Sequence, residues 1–130
     1  MLTPNTPCPC GSRLKYKKCC QKYHKGALPK DALTLMKSRY SAYVAQNANY
    51  IVKTTHPCNP DYTEEKNEWL KAIKLFSQST NFLKLEILSF IDGEEEAFVT
   101  FKVTYETGEM IEKSRFLKLN GRWLYVDGEF

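Results

Sequence analysis

Long apolar runs are absent from this chain of 130 residues. No stretch approaches the roughly 20 apolar residues that a helix needs to cross a bilayer, so we expect no membrane-spanning segment. The amino terminus also lacks the basic start and the apolar stretch that define a secretory signal peptide. Together these absences predict a cytoplasmic protein that does not associate with membranes.

Acidic residues are absent from the first thirty positions, which carry seven of the nineteen basic residues. All fifteen acidic residues lie in positions 31–130, together with the other twelve basic ones. The amino-terminal part therefore has a formal charge of +7 and the remainder −3, which gives the total of +4. Such a division predicts two modules with different surfaces, of which the first should attract anionic partners.

Cysteines follow the same division, because four of the five lie between positions 8 and 20. Their spacing is C-x-C, then eight residues, then C-C, and clustered thiols in a reducing compartment are typical of metal binding. Four sulfur ligands fill the tetrahedral coordination of Zn²⁺ and leave no open position, so the pattern predicts one structural zinc ion. The expected ligands are Cys8, Cys10, Cys19 and Cys20.

The chain between the two cysteine pairs must bend back on itself. Gly11 permits a tight turn beside the metal. Ser12 is expected to cap a short helical turn over residues 12–20, which would deliver the second pair of cysteines. His24 is a rival fourth ligand, although the spacing favours Cys20.

The segment CPCGSRLKYKKCC, residues 8–20, closely resembles the zinc-binding tail of the SecA translocation ATPase, the SEC-C motif. Histidine often occupies the last ligand position of that motif, where this chain has Cys20. Knuckles of this type resemble protein-contact modules, and the SecA tail recruits a chaperone and contacts ribosomes. The resemblance thus implies a protein or ribosomal partner for residues 1–25, which we call the knuckle.

Basic and aromatic residues of the knuckle are the candidate partner contacts. They are Arg13, Lys15, Tyr16, Lys17 and Lys18. Two other interpretations stay open, namely that the lysines only keep a small module solvated and, with less support, that they bind nucleic acid phosphates.

Helical periodicity follows a predicted linker over residues 25–31. We expect a helix from a cap at Asp31 to about residue 46, a short helix over 48–53, and a third helix capped by Thr63. After residue 80 the periodicity changes to two, with turn signals at 92–93, 106–108 and 120–121. Helices followed by an antiparallel meander predict an α+β fold.

Three segments carry a resemblance to the bacterial YchJ family. They are LMKSRYSAYV (35–44), YIVKTTHP (50–57) and SRFLKLNGRWLYVDG (114–128). The resemblance implies a cystatin-like or nuclear transport factor 2-like (NTF2-like) cone over residues 31–130, in which a curved sheet wraps around a long helix. Many members carry a second knuckle after the last strand. This chain ends at residue 130 without one, so paired knuckles are not expected here.

Cones of this kind often enclose a pocket lined by apolar and a few polar groups. The candidate pocket residues are Arg39, Tyr43, His56, Cys58, Trp69, Arg115, Trp123 and Asp127. The two tryptophans are expected mainly in the core. Each arginine could either bind an anion or pair with a carboxylate such as that of Asp127, and we favour the ion pair.

His56 and Cys58 are residue types found in nucleophile–base pairs. Residues two apart in an extended segment need not form a hydrogen bond, however, so an ordinary loop thiol is favoured. His56 follows a predicted helix end, where it is expected to cap carbonyl groups or to satisfy a core hydrogen bond.

Two functional hypotheses follow. The chain has no recognisable catalytic triad, carboxylate dyad or phosphate-binding loop, which favours a non-enzymatic adaptor that uses its zinc knuckle as the contact surface. The competing hypothesis is a small-molecule-binding or enzymatic cone with a pocket near Arg39, His56 and Arg115. The sequence does not indicate the oligomeric state.

Overall fold

The computed structural model describes residues 2–130 and has the α+β architecture that the sequence predicts. A 3₁₀ turn (Tyr16–Lys18) and a one-turn helix, α1 (Gln21–His24), form the knuckle. Three helices follow, α2 (Ala32–Val44), α3 (Ala48–Lys53) and α4 (Lys66–Ser79). The chain ends with the strands β1 (Phe82–Ile91), β2 (Glu96–Tyr105), β3 (Gly108–Leu119) and β4 (Arg122–Glu129).

Side-chain caps explain where the helices of the cone begin. The Asp31 carboxylate accepts a hydrogen bond from the backbone N–H of Thr34 at 2.8 Å, which confirms the expected cap of α2. The expectation for Thr63 is wrong, because α4 begins only at Lys66. The Thr63 hydroxyl instead accepts a hydrogen bond from the backbone of Glu65 in the preceding turn.

The four strands pair in sequence order, and every pair is antiparallel. The turn between β3 and β4 has positive φ values at Asn120 and Gly121, of 54° and 77°, as an Asn-Gly hairpin requires. Register shifts interrupt β1 twice and the β3–β4 pair once. Such bulges bend strands, so the sheet can curve around α2.

Helix α2 supplies the helical side of the core. Leu35 from this helix is fully buried in the same apolar cluster as Val99 of β2 and Phe116 of β3. The segment after α3 is tied to the sheet, since the backbone N–H of His56 donates to the carbonyl of Tyr125 on β4 at 2.8 Å. These contacts close the cone (residues 31–130) around an interior between α2 and the sheet.

The knuckle packs directly onto the cone. Cys8, Cys10, Tyr16 and Cys20 belong to the same buried cluster as Leu35 of α2. The two modules that the charge pattern distinguishes therefore share one core.

No helix within positions 2–130 combines the length and the apolar character that a bilayer span requires.

Candidate metal centre

The four clustered cysteines converge on one point. Their Sγ atoms all lie within 4.8 Å of one another, and those of Cys10 and Cys19 are 3.6 Å apart. A tetrahedral zinc site with Zn–S bonds of ~2.3 Å places its sulfurs ~3.8 Å apart. The cluster therefore has the donor type, the number of donors and nearly the spacing of a closed four-sulfur metal site.

Local backbone structure brings the two cysteine pairs together. The N–H of Cys8 donates to the carbonyl of Leu14 at 2.8 Å and closes a small hairpin. Gly11 lies in this hairpin with φ of 85°, in the left-handed region that favours glycine. The 3₁₀ turn then places Cys19 next to the first pair, because the N–H of Cys19 donates to the carbonyl of Tyr16.

Two serine hydroxyls surround the sulfurs. The expected helix cap at Ser12 is wrong, since its hydroxyl donates to the sulfur of Cys19 at 3.1 Å instead. The hydroxyl of Ser41, on α2, donates to the sulfur of Cys20 at 3.3 Å and lies 3.5 Å from that of Cys8. Hydroxyl donors of this kind hold metal-bound thiolates in place, so both serines act as outer partners of the site.

Hydrogen bonds among the sulfurs, together with burial, determine how these thiols ionise. Cys8, Cys10 and Cys20 are only 2–5% exposed, and Cys19 is half-buried. Hydrogen bonds with the Cys10 and Cys8 sulfurs, together with burial, raise the pKa of the Cys20 thiol. A bound cation reverses this effect, because it compensates the charge of the thiolates that the cluster otherwise cannot all ionise.

His24 is not part of the sulfur cluster. Its Nε2 donates to the carbonyl of Ser38 at 2.8 Å, and its Nδ1 accepts from the hydroxyl of Tyr16. Each ring nitrogen thus has a hydrogen-bond partner, one as donor and the other as acceptor, which suits a neutral imidazole. The ring lies between those of Tyr16 and Tyr50. Burial lowers the pKa of His24, which favours the same neutral form. Of the two rival ligands, the structure brings Cys20 to the cluster.

The candidate partner contacts divide into two groups. Arg13, Lys15, Lys17 and Lys18 are exposed on the knuckle. Tyr16 is 9% exposed, with its hydroxyl on His24, so it supports the interior and is not available to a partner.

A groove of about 230 Å³ lies beside the cysteine cluster. We call it the lysine groove after four of its residues, Lys18, Lys22, Lys30 and Lys37, which it combines with Leu14 and Tyr23. Within residues 2–130, no acidic side chain lines it. Lys37 comes from α2, so the groove spans the knuckle and the cone. Counting charges along the sequence does not reveal a groove that is built from both modules.

The candidate pocket residues are not gathered in one place. A cavity of about 190 Å³ lies between α2 and the sheet, and we call it the interior cavity. Arg39 and Tyr43 line it, and they also line an adjoining open groove of about 500 Å³ that contains Trp69. The other five candidates line neither the interior cavity nor the open groove: His56, Cys58, Arg115, Trp123 and Asp127.

His56 and Cys58 do not form a nucleophile–base pair. The Nδ1 atom of His56 accepts a hydrogen bond from the backbone N–H of Cys58 at 3.0 Å, not from its thiol. Cys58 is exposed, and in residues 2–130 its sulfur makes no hydrogen bond. This loop therefore presents a local turn and a free thiol.

Arg115 and Asp127 lie on the outer face of the sheet. The side chains before and after Arg115, those of Ser114 and Phe116, face the interior, so Arg115 must face outward. There it forms ion pairs with Glu96 at 2.8 Å and with Asp127 at 3.4 Å. Trp123 is 5% exposed and part of the core, as expected.

Glu112 is the cavity residue that sequence reasoning missed. It is 8% exposed, and its Oε2 accepts hydrogen bonds from the hydroxyls of Ser114 and Tyr125. The available signal was the alternation of β3, which places Glu112 on the same face as Met110 and Ser114, two residues that also line the cavity.

Comparisons with known proteins agree with this architecture. The family model described as "YchJ, middle NTF2-like domain" matches residues 31–128, and that of the SEC-C motif matches residues 5–22. A UPF0225 protein of Streptomyces coelicolor is 37% identical and covers 98% of both chains. Another, of Serratia proteamaculans, is 40% identical over 93% of this chain and 81% of its own.

Solved structures show the same arrangement. The crystal structure of a SEC-C motif containing protein from Psychrobacter arcticus matches with a TM-score of 0.81 and 31% identity, over 98% of this chain and 84% of its own. The solution structure of a SEC-C motif containing protein from Rhodopseudomonas palustris gives 0.78 and 28%, over 95% and 98%. The chain therefore belongs to the YchJ family and combines a SEC-C motif with the NTF2-like domain of that family.

Proposed function

We propose that this protein is a non-enzymatic adaptor that holds one structural zinc ion and binds an acidic protein or ribosomal surface through its knuckle. The observation that carries the proposal is the lysine groove, which lies against the cysteine cluster and combines four lysines with the side chains of Leu14 and Tyr23. In this role the zinc ion fixes the shape of the groove and takes no part in chemistry.

The choice of zinc rests on the donor set. Four thiolates around one ion suit Zn²⁺, which accepts tetrahedral sulfur coordination and has no redox chemistry of its own. The five cysteines are free of disulfides, which suits a protein of the reducing cytoplasm. Because all four positions are protein ligands, a water molecule has no place on the metal.

The character of the groove supports an acidic partner. Lys18, Lys22 and Lys30 are exposed, and Leu14 next to them is 52% exposed. An apolar residue surrounded by lysines suits a segment that presents an apolar side chain between carboxylates. The charges then steer the encounter, and the apolar contact contributes to affinity.

A charge-reversal experiment tests this proposal. The Lys18→Glu, Lys22→Glu double variant changes the groove, while Lys66→Glu, Lys74→Glu makes the same change in charge on the exposed residues of α4. Zinc content and thermal unfolding are measured first to establish that both variants are folded. Each is then used, beside the wild type, to capture proteins from lysate and to co-sediment with purified ribosomes.

We expect the groove variant to lose a specific set of partners, or ribosome binding, that the α4 variant retains. Binding by the wild type should weaken as salt rises. Equal retention by both variants would count against the groove as the contact surface. Loss of all capture from lysate after nuclease treatment would favour the nucleic acid interpretation instead.

A further inference from the structure

The interior cavity has walls that are mostly aromatic and apolar. Its residues include Tyr40 and Met36 of α2, Phe101 and Val103 of β2, and Tyr125 of β4. Among residues 2–130, two charged side chains line it, Arg39 and Glu112. Both are 8% exposed, so the fold holds two opposite charges in a largely apolar interior.

The Glu112 carboxylate is only partly satisfied. Its Oε2 accepts hydrogen bonds from Ser114 and Tyr125, whereas its Oε1 accepts none from residues 2–130. Every fully buried side-chain oxygen or nitrogen of the described residues has a partner, so Oε1 must reach accessible space. Gly128 leaves room for this carboxylate, because a Cβ at that position would overlap it.

The Arg39 guanidinium is also only partly satisfied. Its Nη1 donates to the carbonyl of Ile51 and to the hydroxyls of Thr54 and Thr55. Its Nε and Nη2 donate to no group of residues 2–130, and by the same reasoning they face accessible space. Arg39 lines both the interior cavity and the adjoining open groove, so the unpaired guanidinium nitrogens border one or both of these spaces.

The two charges do not neutralise each other. Tyr125 stands between them, with its ring face 4.6 Å from the centre of the Arg39 guanidinium and its hydroxyl 2.9 Å from Glu112 Oε2. Within residues 2–130, neither side chain forms an ion pair. Buried charges without a counter-charge are unfavourable, so a ligand that carries both opposite charges would satisfy both residues at once.

The size of the cavity limits the ligand. Pockets for drug-sized ligands have volumes of about 300–1,000 Å³, and the interior cavity has about 190 Å³. Its aromatic walls suit an apolar body, and tyrosine rings also attract an ammonium group. The ligand should therefore be smaller than a typical drug and carry its two charges at short range.

We infer that the interior cavity binds a small organic zwitterion of the amino acid type, with its carboxylate at Arg39 and its ammonium at Glu112. This binding site is separate from the knuckle and goes beyond the adaptor role. The proposal involves no covalent step, so the ligand is bound and released unchanged.

Calorimetry and NMR titration of the zinc-loaded full chain test the inference. The probes are L-leucine and L-phenylalanine, each beside the matching acid and amine: 4-methylpentanoate and isoamylamine, 3-phenylpropanoate and phenethylamine. We expect at least one amino acid to bind, and its acid and amine analogues to bind at least roughly tenfold more weakly, because each forfeits one charge-assisted contact. No binding of either amino acid at millimolar concentration, or equal binding of an analogue, overturns the inference.

Two variants locate the site. Glu112→Gln preserves the shape of the side chain and should weaken amino acid binding at least roughly tenfold, whereas Glu129→Gln, on an exposed residue of β4, should not. Val103→Phe fills the cavity from an uncharged wall and should abolish binding while zinc content is kept. Binding that survives both Glu112→Gln and Val103→Phe in folded protein contradicts the proposed site.

Discussion

The hydroxyl of Ser41 donates a hydrogen bond to the sulfur of Cys20 across 3.3 Å. Ser41 is fully buried in α2, the helix around which the sheet curves, and Cys20 belongs to the knuckle. The cysteine cluster is thus hydrogen-bonded to the core of the cone. Loss of the metal should consequently destabilise the cone as well as the knuckle.

The first prediction concerns the metal itself. Protein purified without chelator should contain about one zinc ion per chain, and Cys10→Ser should lower zinc affinity by more than the roughly 10–100-fold that an outer partner contributes. The physical reason is that one of four charged ligands is removed from a buried site. Elemental analysis gives the metal content, and a chromogenic chelator gives the affinity.

Cys58→Ser is the matched control for that experiment. Cys58 is exposed and outside the cluster, so its replacement should change neither zinc content nor thermal unfolding. Wild-type protein that is fully folded and free of metal would contradict the structural role of zinc.

The second prediction concerns Ser41. Ser41→Ala removes the hydroxyl that contacts two sulfurs, those of Cys20 and Cys8, and should lower zinc affinity roughly 10–100-fold. Ser79→Ala removes a hydroxyl that donates only to backbone carbonyls at the end of α4, and it should leave zinc affinity unchanged. Competition titration against a chelator measures both. Equal zinc affinities for the two variants would show that Ser41 contributes to packing but not to metal binding.

Local patterns in the sequence predicted the parts of the structure that depend on local chemistry. The cysteine spacing gave the composition of the sulfur cluster, and the aspartate before α2 gave its cap. The Asn120–Gly121 pair gave the β3–β4 turn. Each of these features is determined by neighbours a few residues apart, where spacing and side-chain type decide the geometry.

Features that join distant segments were not predictable in the same way. Ser41 meets the sulfurs and Lys37 meets the lysine groove only because the knuckle folds back onto α2. The proposed association of Arg39, His56 and Arg115 failed for a related reason. Alternation along β3 sends Arg115 outward, and His56 stays in the loop that pairs with the edge of β4.

The third prediction separates His24 from the metal ligands. His24→Phe should retain zinc, since the ring nitrogens contact Tyr16 and Ser38 and the sulfur cluster consists of the four cysteines alone. It should lower the free energy of unfolding by about 1–3 kcal/mol, because the Ser38 carbonyl and the Tyr16 hydroxyl lose their partner. Denaturant unfolding with parallel metal analysis checks both. A variant without zinc would make His24 a ligand after all.

The same residue gives a pH dependence with a defined sign. Burial holds the pKa of His24 below its ordinary value of 6.5, so between the two values the unfolded chain binds more protons. The stability that neutral His24 contributes is therefore complete above about pH 6.5 and is lost as the pH falls through the folded-state pKa. Because His24 is outside the sulfur cluster, we expect any zinc release at low pH to affect wild type and His24→Phe alike. The difference in stability between them should shrink as the pH falls, and a constant difference would refute a buried neutral imidazole.

The last prediction concerns Gly128 and Glu112. A Cβ at position 128 would overlap the Glu112 carboxylate and displace it from the hydroxyls of Ser114 and Tyr125. Gly128→Ala should therefore cost about 1–3 kcal/mol in the wild type, the range for a buried group that loses its hydrogen bonds. In a Glu112→Ala background the obstacle is gone, and the same substitution should cost much less. Denaturant unfolding of the four proteins in this cycle gives the coupling energy. A coupling near zero would mean that the carboxylate can move aside without loss, and that its position in the interior cavity is not fixed by β4.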